Sequence, residues 1–328
     1  MDDLLLIESP EQLQLLAGVS GLAAIDAGSF SSLKPDAYLA LLQNQNQLAA
    51  RCALWWTNTP PVPHHNVGLI GQYQVQAAAG QLLQKACEHL AAQGCTLAIA
   101  PMDGSTWRSY RLISDRGSAP AFFLEPHHPD EYVDQFLKAG FTPFAHYSSA
   151  LNSDLTQCDA RLDRVQQRLS QAGVTIRSLN LENFESELRQ VYQLALMSFQ
   201  NNLLYTPITQ ADFIAQYRQM QAWVKPELVL LAEQNQQLVG FLFAIPDLLQ
   251  QTYAPAIDTI IIKTVAVLPG RPYAGLGSVL VENVQAIAAQ LGYTRAIHAL
   301  MQDNNKSRNL SSRYASTMRR YTLFSRPL

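Results

Sequence analysis

The C-terminal third of the chain holds the side chains and backbone turns best suited to chemistry. Gly275 and Gly277 flank Leu276 in GRPYAGLGS, between a β-branched run, TIIIKTVAVLP, and an amphipathic run, VLVENVQAIAA. The first run reads as a strand ended by Pro269 and Gly270, and the last as a helix opening at Ser278. Glycines at the junction let backbone N–H groups come close to an anion, and a helix N-terminus favours negative charge by about 0.3 to 1 kcal/mol at an exposed site. That is a cradle for a phosphate-bearing cofactor. Around it stand groups able to move protons or grip a ligand. His298 has an ordinary pKa suited to a base, with a buried structural histidine as the bland alternative. Lys263, alone in an apolar strand, either grips a carboxylate or phosphate or simply faces water.

Two phosphate-loop patterns fail on these letters. A P-loop needs Lys-Ser or Lys-Thr after its last glycine, and no such pair follows Gly277, so the lysine is missing; a dinucleotide fingerprint needs a third glycine where Leu280 stands. A third pattern, Q/R-x-x-G-x-G/A after a strand, is the acyl-CoA loop of the GNAT superfamily of N-acetyltransferases, and this segment resembles it closely. Pro272 fills the formal Q/R place and Arg271 stands one place earlier. Asn304 and Ser307 match the N-x-x-A/S step of that family, and Tyr314 lies one helical turn past its usual tyrosine. The resemblance implies that acetyl-CoA is the cosubstrate. Val265, Ala266 and Val267 would pair with its pantetheine arm, Arg271 and the residues Tyr273, Ala274, Gly275, Leu276, Gly277 and Ser278 would hold its diphosphate, and Asn304 and Ser307 would lie nearby. It further implies direct attack of an amine on the thioester, with the Val267 N–H polarising the carbonyl and Tyr314 as a candidate acid. Many relatives carry a glutamate on the strand before the loop, where this chain has Ile261 and Lys263; His298, Asp258 or a residue from elsewhere in the chain is left as base.

The elements that must position these groups recur. Arg51 to Trp56 and Val67 to Val75 read as strands, Gly80 to Gln93 as a helix and Cys95 to Ala100 as a further strand, in the order seen around the glycine turn. Tyr132 to Leu151 resembles the closing helix and strand of a GNAT domain. A polar stretch at Asn152 to Gln171 reads as a connector, followed by strand VTIRSL, two helices across Leu181 to Met220, and strands at Leu228 to Glu233 and Leu238 to Pro246. The expected architecture is therefore α/β with a mixed sheet, in two tandem GNAT-like domains: residues 1–155, degenerate, and 156–328, with the acyl-CoA site. In the first copy PMDGSTWRSYR follows a strand end, and Asp103, Trp107 and Arg111 there could form an acceptor wall or a structural loop in which Arg111 satisfies Glu125.

Composition narrows the partners. The 328 residues carry a net charge of −3 with 15% charged residues, giving no electrostatic reason to expect nucleic acid or an anionic membrane. The N-terminus MDDLLLIESPEQ has acids where a signal peptide would have lysines, and no apolar run nears the ~20 residues of a membrane span. A cytoplasmic location is expected. Cys52, Cys87, Cys95 and Cys158 show no zinc spacing and are expected as buried free thiols; the pairs His64-His65 and His127-His128 are expected on solvated loops, so no metal is expected. The resulting expectation is acetyl transfer to a small-molecule amine or amino acid. The alternatives are an acyl-CoA-binding or scaffold protein without turnover and an aminoacyl-tRNA-dependent transferase.

Overall fold

The computed structural model describes residues 3–44, 46–303 and 311–328. In chain order its first half contains β1 (Asp3–Ile7), β2 (Ser20–Gly21), α1 (Ala27–Leu33), β3 (Ala37–Gln43), β4 (Gln47–Trp55), β5 (Val67–Val75), α2 (Ala79–Ala92), β6 (Leu97–Ala100), β7 (Leu112–Asp115), α3 (Glu131–Lys138) and β8 (Thr142–Asn152). The second contains α4 (Arg161–Gln171), β9 (Thr175–Ser178), α5 (Phe184–Phe199), α6 (Gln210–Met220), β10 (Val229–Gln234), β11 (Gln237–Pro246), β12 (Thr259–Val267), α7 (Leu276–Gln290), β13 (Arg295–Gln302) and β14 (Ser316–Pro327). The repeated unit is strand, helix, parallel strand: β5-α2-β6 and β12-α7-β13. An α-helix connects each parallel pair because a tight hairpin cannot.

One continuous sheet runs β1-β3-β4-β5-β6-β14-β8-β13-β12-β11-β10-β9, with β2 beside β4 and β7 beside β14. At its centre the halves exchange their last strands. β8 pairs antiparallel with β13, Ala296 opposite Asn152, while β14 pairs antiparallel with β6, Phe324 opposite Ala100. The two exchanged strands also pair with each other along most of their length. Neither half's parallel pair is left with a bare inner edge.

Helices cover the sheet where strands alternate apolar residues onto both faces. In the second half α7 buries Leu276, Val279, Leu280, Val284 and Ala288 against Ile260 and Ile262 of β12, and α4 adds Leu162 and Leu169 beside it. The opposite face carries α5 and α6, whose Val191, Leu194 and Phe213 pack on Ile261 and Phe243. Each large apolar side chain so buried stabilises by about 1.5 to 3 kcal/mol. The period-2 alternation of β12 thus assigns even-numbered Ile260 and Ile262 to the α7 face and Ile261 to the α5 and α6 face. Cys52, Cys87 and Cys95 are buried free thiols, whereas Cys158 is exposed. Cys158 lies in the polar segment ahead of α4, where no sheet covers it.

Candidate active site

The site begins where β12 and β13 part. They pair in parallel from Thr259 with Arg295 to Ile262 with His298. Lys263 then stands as an extra residue against β11, since Ile262 faces Ala244 but Thr264 faces Phe243. Such a bulge bends its strand. On the other side Leu300 takes a left-handed φ of 60° and its N–H donates to Ser149 Oγ at 3.0 Å, drawing β13 toward β8. A wedge opens, and on β12 it exposes the edge from Thr264 to Val267 that does not face β11.

The glycine turn follows directly. Gly270 adopts φ 135°, Arg271–Tyr273 make a single 3-10 turn, and Gly275 adopts a left-handed φ of 86° as the cap of α7. The helix begins at Leu276, two residues before the expected Ser278. Its first internal bond is Val279 N–H to Gly275 C=O, so the amides of Gly275, Leu276, Gly277 and Ser278 precede the helical ladder, four donors aimed out of the turn. The loop is held by residues that sequence reasoning passed over. Arg168 of α4 donates through Nη1 to Pro272 C=O at 3.2 Å and through Nη2 to Ala274 C=O, and Val165 packs under Gly275. Tyr273 Oη donates to Gln234 Oε1 at 2.8 Å, and Ser198 Oγ donates to Val267 C=O at 3.2 Å. α4 therefore braces the cradle and places an exposed guanidinium beside it. No local signal in a polar connector marks this role, because the contact spans about a hundred residues of chain.

The predicted side chains divide into three places. Lys263 and Arg111 meet the wedge. Lys263, half-buried, projects toward the α5 and α6 side with Nζ 3.5 Å from Leu124 C=O. Burial, and then the charge of Arg111, push its amine down to about 8. Arg111 comes from the first half, is 7% exposed, and has its guanidinium 4.0 Å over Tyr110 and 4.3 Å over Tyr147 while Nη1 donates to Leu300 C=O at 3.2 Å. It does not satisfy Glu125, whose partners are Arg319 and Tyr321. Trp107 also crosses from the first half, donating from Nε1 to Thr206 C=O at 2.8 Å and meeting Phe199, Tyr205 and Phe213.

Asp103 stays in the first half. Its buried carboxylate accepts the Gln72 N–H at 2.7 Å and the Gln72 side-chain amide, where β5 and β6 would otherwise part. Met102 N–H donates to Ile70 C=O at 2.8 Å, and a Cβ on Gly71 would collide with Met102 C=O. The wedge of the first copy is thus filled by its own chain.

His298 and Tyr314 lie on the far face. His298, level with Ile262, points at α7, is 4% exposed, and has Nε2 3.2 Å from Gln285 Oε1, which also accepts from Asn152 Nδ2 at 2.7 Å. Burial lowers its pKa to about 4. Lys263 and His298 therefore stand on opposite sides of the sheet. Tyr314 Oη donates to Glu282 Oε2 of α7 at 2.9 Å, and burial and that carboxylate push its pKa up. Asp258 is engaged by Arg295 at 2.7 and 2.9 Å at the far end of β12. His128 is anchored rather than solvated, its Nε2 accepting the Ile113 N–H at 2.6 Å. Asn304 and Ser307 lie outside the described residues. Among the described residues no cluster of His, Cys, Asp and Glu could hold a metal ion, and no helix is long and apolar enough to cross a membrane.

His298 gives a test of placement. The unfolded chain binds a proton at His298 near pH 6.5 and the folded chain only near pH 4, so stability is lost as pH falls through that window, by on the order of 3 kcal/mol. Replacing His298 by Leu should flatten this acid limb in urea titrations while leaving turnover within a few-fold. A large loss of turnover at unchanged stability would instead put the imidazole in the chemistry.

Residues 188–313 match the model of the acetyltransferase (GNAT) family. With the first half built on the same unit, the protein is a tandem GNAT-like α/β fold. No curated protein matches it in sequence. Among solved structures it is similar to a probable N-acyltransferase from Enterococcus faecalis V583, at TM-score 0.55 and 10% identity over 100% of this chain and 73% of that one. It is similar to a GCN5-related N-acetyltransferase from Sphaerobacter thermophilus at TM-score 0.50 and 14% identity, covering 99% and 95%. A glucosamine N-acetyltransferase region of a fungal multi-domain GH3 β-N-acetylglucosaminidase gives TM-score 0.55 and 14% identity over 99% of this chain, which spans 38% of that protein. At these identities the likeness speaks to the fold.

Proposed function

We propose that the protein transfers an acetyl group from acetyl-CoA to the amine of a small molecule or amino acid at the wedge between β12 and β13. The observation that carries this reading is the wedge itself, which joins an open strand edge at Val265 to Val267 to four free amides at Gly275 to Ser278. Those amides, with Arg271 and Arg168 beside them, suit a diphosphate; the strand edge suits the amides of a pantetheine arm. The thioester supplies the activated acyl group. The acceptor approaches from the α5 and α6 side, past Lys263, Arg111 and Trp107. The amine nitrogen forms the new C–N bond as C–S breaks, and the thiolate leaves as CoA-SH once protonated. No strand carboxylate is needed for the proton. Removal from bulk water disfavours the charge of an ammonium, so the acceptor sheds its proton to water more readily than in solution.

Calorimetric titration with acetyl-CoA should show one site per chain, and thiol release should exceed background with part of an amine panel. One observation favours a binder without turnover: Tyr314 and His298 are committed to contacts on the α7 face. Saturable acetyl-CoA binding with background thiol release across the panel would establish that reading, and absence of acetyl-CoA binding would remove both.

A further inference from the structure

We infer that the acceptor amine carries an anionic group, carboxylate or phosphate, which Lys263 and Arg111 bind from the two lips of the wedge. Lys263 occupies the bulge on β12, and Arg111, in the loop just before β7, is fastened to Leu300 on β13, so the two cations meet at the wedge from different halves of the chain. Among the described residues neither has a carboxylate partner. Glu125 and Asp247 are engaged elsewhere, Glu125 by Arg319 and Tyr321 and Asp247 by the Phe123 N–H at 2.8 Å. Arg111 also keeps a buried Nε without a partner. Tyrosine rings offset part of the cost of burying that guanidinium, but an unpaired charge off the solvent is unfavourable unless something of opposite sign joins it.

Backbone strain points the same way. Arg111 and Leu300, joined by the Nη1 bond, are both non-glycine residues in left-handed conformations, at φ 71° and 60°. Such conformations are held by their surroundings and cluster where ligands bind. The diphosphate of acetyl-CoA does not answer this pair. Its cradle lies beyond the end of β12, and the strand from Lys263 to Val267 alone spans roughly 13 Å.

This inference rests on the acyl-transfer reading, and its test separates the two. Acetyl-CoA affinity is measured first by calorimetry on wild type, Lys263→Met and Arg111→Lys, each checked by thermal melt; all three should bind alike. Thiol release is then compared within pairs differing only in the anion: L-phenylalanine against L-phenylalaninamide, L-methionine against L-methioninamide, and O-phosphoethanolamine against ethanolamine. The anionic member of the amino-acid pairs or of the phosphate pair should have the higher kcat/KM, identifying which anion is taken. Lys263→Met should raise its KM about 10- to 100-fold with little change in kcat and no change for the neutral member. Arg111→Lys, which keeps the charge but loses the fork, should give a smaller rise. Equal use of charged and neutral members with acetyl-CoA binding intact overturns the anionic acceptor and leaves acyl transfer standing. Loss of acetyl-CoA binding in wild type overturns both.

Discussion

Replacing Gly275 by Val should weaken acetyl-CoA binding about 100-fold or more while the protein remains folded. Gly275 caps α7 at φ 86°, a region that costs an L-residue roughly 1 to 2 kcal/mol, and a β-branched one more. A Cβ there would also lie 2.7 Å from Val165 Cγ1, so the loop must lift off α4 or push Val165 aside. Lifting the loop turns the amides of Gly275 to Ser278 away from a common point, and each charge-assisted hydrogen bond so lost is worth about 1.5 to 3 kcal/mol. Two of them account for the fold-change. Gly275→Ala should fall between, and adding Val165→Ala should recover melting temperature more than affinity, because it relieves the contact and not the dihedral. Calorimetry and thermal melts on the four proteins check this. Unchanged affinity in Gly275→Val would mean that the turn does not hold the cosubstrate.

The strand, turn and helix from Thr259 to Gln290 could be read from their letters because the relevant physics is local. A period of two gives way at Pro269 and Gly270 to a period of 3.6, and only glycine takes the cap geometry cheaply. The second half's strands and paired helices follow from the same patterning. The exchange of β8 and β14 does not. An apolar strand declares that it will be paired but not with whom, and both exchanged strands carry suitable sequences for either neighbour. The faces of the site were equally hidden. His298 and Lys263 sit on adjacent strands, yet the register that matches Ile262 with His298 sends the lysine to the other side. Arg111 could be picked out as a polar residue in a loop, but its position at the wedge depends on a left-handed backbone and on tyrosines contributed by its own loop, β8 and β14.

Arg319 and Glu125 should prove the most sensitive pair for stability, with Arg319→Met losing about 3 to 5 kcal/mol. Their side chains are 0% and 1% exposed, with Nε 2.7 Å from Oε1. The approach lies off the N–H axis, so charge rather than a linear hydrogen bond holds it. The other guanidinium nitrogens donate to the carbonyls of Arg116, Ala119 and Pro120, fastening the segment that ends at Glu125 onto β14, the exchanged strand. Removing the arginine strands a buried carboxylate and three carbonyls; removing the carboxylate strands a buried cation. Arg319→Met and Glu125→Gln together should therefore cost less than the sum of the two alone, and urea titrations of the four proteins give that coupling directly. The damage should also reach the site. Tyr321 donates to Glu125 at 2.6 Å and lies 3.0 Å from Ser149 Oγ, which accepts the Leu300 N–H that bends β13 and opens the wedge. Glu125→Gln should accordingly raise the acceptor KM at temperatures where the protein is still fully folded, while acetyl-CoA affinity, set at the other end of β12, stays near that of wild type. A Glu125→Gln protein of wild-type stability and unaltered KM would show that the strand exchange is held by its backbone ladder alone.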